Sequence, residues 1–274
     1  MTIKYDFSGK RVLVTGGGRG IGEKIATCFA AAGAAVGILD KDFVAAEEAV
    51  AAIRESGGNA VAAEGNLEYY EDCKKAVEKI SRQIGHIDIL INNAAISPKH
   101  EGRSHSVLEM DPVEWQTVMA VNLGGAFNMI KQVAPRMVEK GWGRIVNISS
   151  VGSLFYAGLA GAHYSASKAA INSLTRTLAG EFGSCGVTVN AIVPGRVATP
   201  MASGVGAATN ESLLLSIPLG RFAAAVEVAG LVMFVASEEA AYMTGETIPM
   251  TGGLSLGSLT KNLSKTSISR APDA

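Results

Sequence analysis

The chain reads as an α/β protein, a doubly wound parallel sheet with helices on both faces, and three observations predict it. Short β-branched runs alternate with helix-like runs of about 10–15 residues, the pattern of successive strand–helix–strand units. A glycine cluster between Gly16 and Gly22 falls directly between the first such strand and the first such helix. The length of 274 residues, 48% of them hydrophobic and 18% charged, suffices for one large domain with a substantial core. No repeat and no linker interrupts residues 1–254, so one domain is expected there. Residues 255–274 turn into Ser, Thr, Lys and Asn with few apolar anchors, and read as a tail, disordered or lying on a neighbouring subunit.

Composition excludes several classes. The formal net charge is −1, so nothing suggests nucleic acid or an anionic membrane surface as a partner. The longest plain apolar runs, such as residues 231–236, fall far short of the roughly 20 residues a membrane span needs. The first six residues show no apolar signal-peptide core. Cys28, Cys73 and Cys185 are odd in number, widely spaced and without a CxxC, and so read as reduced thiols packed as small apolar groups. A soluble, cytoplasmic protein is expected.

Taken in order, Arg11–Thr15 is the first strand, and residues 16–22 (GGGRGIG) follow at once. Ile25, Ala26, Phe29 and Ala30 then recur at helical spacing. Strand, glycine turn and helix are the context of a phosphate-binding loop. Gly16 permits the turn, Gly20 lets the backbone approach a pyrophosphate, and Gly22 lets helix and strand pack closely. Gly18, Arg19 and Ile21 complete the loop, whose free N–H groups and helix dipole attract phosphates. A second strand over 34–39 ends in Asp40, whose carboxylate can accept from both hydroxyls of an adenosine ribose and would repel a 2′-phosphate. That favours NAD over NADP. Arg19 and Lys41 pull the other way, since basic side chains there can pair with such a phosphate.

A helix over 45–55 leads to a third strand over 60–63, followed by Asn66 and Leu67, where a side chain either reaches an adenine edge or caps the next helix. After a helix over 73–84, a fourth strand over 87–91 ends in Asn92-Asn93-Ala94-Ala95, small and amide-bearing as a close approach to a cofactor requires. Residues 97–106 (SPKHEGRSHS) are the most polar stretch of the first half, with Lys99, His100, Arg103 and His105 against one acid, Glu101. They follow a strand end on the expected ligand side, facing either substrate or solvent. A metal site from His100 and His105 is not expected, because no carboxylate or thiol ligand set accompanies them.

Asp111-Pro112-Val113-Glu114 starts a long helix that runs past Asn122 to about residue 138. Asn122 lies on its apolar side, as a satisfied core amide or as a helix defect serving the site. A fifth strand over 144–148 ends at Ser149 and Ser150, which places a hydroxyl at a strand's carboxyl end. Tyr164 and Lys168 follow, four apart and so one turn apart on one helix face. A cation within about 4–6 Å favours the phenolate and lowers a tyrosine pKa by roughly 1–3 units. A sixth strand over 187–193 ends in Pro194-Gly195-Arg196-Val197-Ala198-Thr199-Pro200. Residues 201–215 lack strong periodicity and suit a lid over substrate. A helix over 227–237 and a strand over 246–250 complete the pattern.

Assembled, these pieces resemble the short-chain dehydrogenase/reductase family over residues 7–254. The matching pieces are TGGGRGIG (15–22), Asp40, NNAA (92–95), Asn122, NISS (147–150), YSASK (164–168), PGRVATP (194–200) and TGETIPMTGG (244–253). The resemblance implies a seven-stranded Rossmann-type sheet, often assembled as a homodimer or homotetramer. It implies hydride transfer between a nicotinamide and a carbinol or carbonyl. Carried over, Ser150 polarises the carbonyl oxygen, Tyr164 exchanges the proton, Lys168 lowers the tyrosine pKa and holds the nicotinamide ribose, and Asn122 supports a relay water. Asp40 would bind the adenosine ribose, Asn66 the adenine, and Asn92 and Ala94 the middle of the cofactor. Val197 and Thr199, after Pro194 and Gly195, would fix the nicotinamide half.

This chain departs from the usual pattern at Asn66, at NNAA in place of NNAG, and at Thr251 before its final glycine pair. Ser150 and Tyr164 are one residue further apart than is commonest, so Ser149 and Ser153 are rivals for the serine role. Gly141 and Cys185 stand where relatives acting on acyl-carrier thioesters present arginines. The expected activity is therefore NAD(H)-dependent oxidoreduction of a small secondary alcohol or ketone, with NADPH-dependent 3-oxoacyl-thioester reduction as the alternative. A nucleotide sensor without turnover is the remote one.

Overall fold

The computed structural model describes residues 5–156, 160–203 and 207–254. The region expected to be a tail and the first four residues lie outside the described residues. Seven strands form one parallel sheet in the order β3-β2-β1-β4-β5-β6-β7. The strands are β1 (Arg11–Thr15), β2 (Ala35–Asp40), β3 (Asn59–Glu64), β4 (Ile89–Asn92), β5 (Gly143–Ile148), β6 (Val187–Pro194) and β7 (Thr247–Met250). Each connection carries a helix, as parallel neighbours require. The helices up to β6 are α1 (Gly20–Ala31), α2 (Phe43–Glu55), α3 (Tyr70–Ile84), α4 (Pro112–Met119), α5 (Gly125–Lys140) and α6 (Ala162–Phe182). Beyond β6 come α7 (Pro200–Ser203), α8 (Ala207–Leu214) and α9 (Ala225–Ala236).

Because successive side chains on a strand point to opposite faces, β1 feeds two cores at once. Val12 and Val14 pack with Ile25 and Phe29 of α1, Val50 of α2 and Val232 of α9, while Leu13 packs with Ile80 of α3 and Met129 and Val133 of α5. All ten of these side chains are fully or almost fully buried, and each such burial stabilises by about 1.5–3 kcal/mol. The strand order reverses between β1 and β4, so a crevice opens outside their carboxyl ends.

One expectation needs correction. The single helix expected from residue 111 to about 138 is three pieces: α4, a π-helical turn over Ala120–Gly124, and α5. Periodicity cannot show this, because one extra residue per turn leaves the apolar pattern on both sides intact. Within residues 201–215, whose periodicity is weak, α7 and α8 form. Leu213 and Ile217 are buried with Val151, Val193 and Leu254 in a third, small cluster that holds this segment against the sheet end.

Candidate active site

A cleft of about 440 Å³ lies over the carboxyl ends of β1, β4, β5 and β6. Its far side is the glycine loop. Gly16 has φ +62°, which a β-carbon would disfavour, and a β-carbon on Gly22 would fall 2.1 Å from the Gly16 carbonyl oxygen. The loop is locked from β4: Asn93 Nδ2 donates to the carbonyls of Thr15 and Gly16 at 3.0 Å each. The Thr15 hydroxyl accepts from the backbone N–H groups of Asn93 and Ala94 at 3.1 Å. No side chain caps the start of α1, so its first N–H groups stand open to an anion.

Asp40 lines the cleft at the end of β2, with one oxygen accepting from the Gly18 N–H and the other from the Asp42 N–H, both at 3.0 Å. Asp42 in turn forms an ion pair with Arg19. Of the two basic residues that argue for a 2′-phosphate, Arg19 is thus held by a neighbouring carboxylate, and Lys41 lines the cleft beside Asp40. Asn66 lines the cleft, and its side-chain oxygen accepts from the Glu68 N–H at 3.2 Å within a turn rather than capping α3, whose start carries no side-chain cap.

At the other end stand Ser150, Tyr164 and Lys168, all lining the same cleft. The Ser150 hydroxyl is close enough to the Tyr164 hydroxyl to favour its ionised form. Its rivals are committed elsewhere: Ser149 donates to the Lys168 carbonyl at 3.0 Å, and Ser153 donates to the Ser150 carbonyl at 2.6 Å. Lys168 is 2% exposed and its Nζ donates to the Ile148 carbonyl at 2.7 Å, which aims it along the floor of the cleft, 5.7 Å from the Tyr164 ring centre.

The expected lowering of the tyrosine pKa is not what this arrangement gives. Burial pushes the Tyr164 phenol above its usual value, the nearby Ser150 hydroxyl offsets this only in part, and burial lowers Lys168 to about 8. In a cleft walled by apolar groups the desolvation of both charged forms outweighs their mutual attraction.

Of the expected cofactor residues, Gly16, Arg19, Gly20, Ile21, Asp40, Asn66, Leu67, Ala94, Pro194, Gly195, Val197 and Thr199 line the cleft. Gly18, Gly22, Asn92 and Asn122 stand behind its wall, and each has a structural task there. Gly18 donates to Asp40, and Gly22 allows α1 to touch the Gly16 turn. Asn92 points into the sheet, where its Nδ2 donates to Asn147 Oδ1 at 2.9 Å, and Asn147 donates to Thr175 of α6 at 2.9 Å. The neighbouring Asn93 lines the cleft instead, a choice that strand parity alone decides.

Asn122 sits in the π-helical turn, 2% exposed, and is a satisfied core amide at a helix irregularity. Its Oδ1 accepts from the Ile96 N–H at 2.8 Å, and its Nδ2 donates to the Ile96 carbonyl at 3.0 Å and to Ser167 at 3.1 Å. It therefore ties the segment after β4 to the helix that carries Tyr164 and Lys168.

The polar 97–106 stretch divides. Lys99 lines the cleft and is lowered by burial and by the nearby Arg196, which also lines it. Arg103 turns away and pairs with Glu109 through both guanidinium nitrogens at 2.9 Å. Sequence reasoning missed Thr15, Arg196 and the carbonyl of Ile148 as parts of the site. Only the position of Arg196 directly after a strand-end Pro-Gly could have marked it.

The family described as enoyl-(acyl carrier protein) reductase matches residues 16–255. Nodulation protein G of Azospirillum brasilense is 39% identical over 90% of this chain and 98% of its own length. Acetoacetyl-CoA reductase of Allochromatium vinosum is 39% identical over 88% of this chain and 97% of its own. The crystal structure of a 3-oxoacyl-[acyl-carrier protein] reductase with bound NAD from Brucella melitensis is similar with a TM-score of 0.87. It is 36% identical and covers 92% of this chain and 95% of that one.

Proposed function

The chain belongs to the short-chain dehydrogenase/reductase family, and on that premise we propose that it reduces the ketone of a 3-oxoacyl thioester with NADH. At the coarser level it is an oxidoreductase using a pyridine nucleotide. The observation that carries the reading is the convergence of the Ser150–Tyr164 pair and Lys168 on one wall of a cleft that holds the open start of α1 and Asp40 on the other.

The nicotinamide supplies the hydride when bound. The protein's own groups would handle the proton and the charge. With its pKa raised by burial, Tyr164 keeps its proton at neutral pH and serves as the acid that donates Oη–H to the substrate oxygen. Ser150 orients that oxygen and the tyrosine hydroxyl together. Lys168, near 8, is largely charged at neutral pH and stabilises the phenolate left behind. Asp40 would accept from the adenosine ribose. The engagement of Arg19 by Asp42 supports NADH over NADPH.

Relatives acting on CoA- and carrier-borne 3-oxoacyl groups support the thioester. A second reading, a small free ketone or secondary alcohol, is supported by two features. Gly141 and Cys185 lack the charge a carrier protein would meet, and Lys99 with Arg196 gives the cleft a cationic end. Rates with acetoacetyl-CoA, a 3-oxoacyl carrier protein and a panel of small ketones, each with NADH and NADPH, separate them. The thioester reading expects kcat/KM at least about tenfold higher for a thioester, and thioesters inert beside an active small ketone would overturn it.

A further inference from the structure

Three of the four histidines in the chain gather around one carboxylate that lies 9 to 49 residues from them. Glu114, in the first turn of α4, receives His100 Nε2 on one oxygen at 2.6 Å and His163 Nε2 on the other at 2.8 Å. The imidazoles of His100 and His105 lie parallel, with centres 3.5 Å apart and planes 4° apart. One donor atom from each of His100, His105 and Glu114 lies within 4.8 Å of the other two. His105 Nδ1 is buried and has no hydrogen-bond partner.

We propose that His100, His105 and Glu114 form a binding site for one divalent transition-metal ion of the zinc type, which clasps the 97–106 segment to α4. Two imidazoles and a carboxylate are a ligand set that suits zinc or its neighbours in the first transition row, with a fourth position left for water. Around a tetrahedral ion with bonds of about 2.0–2.2 Å, donors stand about 3.3–3.5 Å apart. The present trio is close to that size: the His100–Glu114 edge opens by under about 1 Å and one stacked ring rotates to bring its nitrogen to the ion.

The supporting groups are already in place. His163 is wholly buried, and its Nδ1 accepts from the Tyr164 backbone N–H at 2.7 Å, which leaves the proton on Nε2 to hold Glu114. Such an outer hydrogen bond orients a ligating carboxylate.

The loop itself is braced. His100 and Arg103 exchange backbone hydrogen bonds at 2.7 and 3.1 Å across a tight turn, and Glu109 holds both Arg103 and the Ser106 N–H. The carboxylate that the pair of histidines lacks in sequence is Glu114, which joins them only through the fold.

The test is metal retention by the full-length, untagged protein. After stripping with chelator and dialysis against Zn²⁺ or Co²⁺, the expected result is one ion per chain. The cobalt form should show d–d bands without a thiolate charge-transfer band, which sets Cys28, Cys73 and Cys185 aside. H100N, H105N and E114Q should each weaken binding at least tenfold while keeping the wild-type circular dichroism, and H86N should leave it unchanged. H163N should weaken it about 10–100-fold without abolishing it. No ion retained by the wild type, or an ion retained equally by H100N and H105N, would overturn the assignment. If either variant fails to fold, E114Q and the cobalt spectrum of the wild type decide it. This readout does not depend on turnover, so it stands apart from the proposed reaction.

Discussion

At the scale of single residues, the cost of burying charge is the dominant effect in the site. Lys168 drops to about 8 from an ordinary 10.5 because it is desolvated. Between those values the unfolded chain binds more protons than the folded one, so folding stability rises as pH increases from about 8. Below pH 8 the full cost of the buried ammonium is present. Tyr164 acts in the opposite sense, since its raised value makes stability fall once pH passes its ordinary 10. The cofactor-free protein is therefore expected to gain stability between about pH 8 and 10, and Lys168→Met to flatten that gain, as read by denaturant titration at each pH. The interactions of Asp40 give a second prediction. Asp40→Ala should narrow the preference for NAD over NADP by about 10–100-fold, the worth of hydrogen bonds to a charged group, measured as the ratio of kcat/KM values. Asp40 was legible as the last residue of a strand. The ion pair that removes Arg19 from the contest was not, because whether Arg19 meets a phosphate or Asp42 is decided by a loop conformation.

At the scale of elements, the π-helical turn at Asn122 is what joins the two halves of the site. It swings one amide to the Ile96 backbone on one side and to Ser167 of α6 on the other. Asn122→Ala leaves the part-buried N–H and C=O of Ile96 without their partner. It should cost about 2 kcal/mol or more, seen as a lower urea midpoint at unchanged m-value. The seven strands stood out in the sequence because buried parallel strands are continuous apolar runs bounded by glycine or polar turns. Asn122 itself stood out as an amide among Val118, Met119, Val121 and Leu123, whereas the irregular turn that makes it useful leaves no trace in apolar spacing. The same limit explains Asn92 and Asn93. Either could face the cleft from sequence, and only the strand register sends Asn92 to Asn147 and Asn93 to the glycine loop.

At the scale of the whole molecule, the sheet separates structural from chemical work. At the amino ends of the strands, the buried Asp88 holds both Arg11 and Lys140, and the Trp142 ring is contacted by Lys10 and Arg144. At the carboxyl ends, groups that are costly to bury are gathered in one cleft at the strand-order reversal. No described helix is long and apolar enough to cross a membrane. Legibility follows that division: local motifs carry the glycine loop and the Tyr164–Lys168 pair, while long-range partners such as Glu114 with His100 and His163 exist only once the chain is folded. A dinucleotide that spans the cleft should stabilise the entire domain. NADH at 100 times its dissociation constant should add about 2.7 kcal/mol to unfolding, and NADPH at the same concentration should add less.

The central claim is that Tyr164 carries the proton while other residues hold the dinucleotide, and Tyr164→Phe tests it most directly through two readings on one sample. NADH binding by fluorescence titration should stay within about twofold of wild type, while turnover of the best substrate falls at least about 10²-fold. Turnover surviving in the phenylalanine variant, or a wild-type protein that binds no nicotinamide dinucleotide, would contradict it.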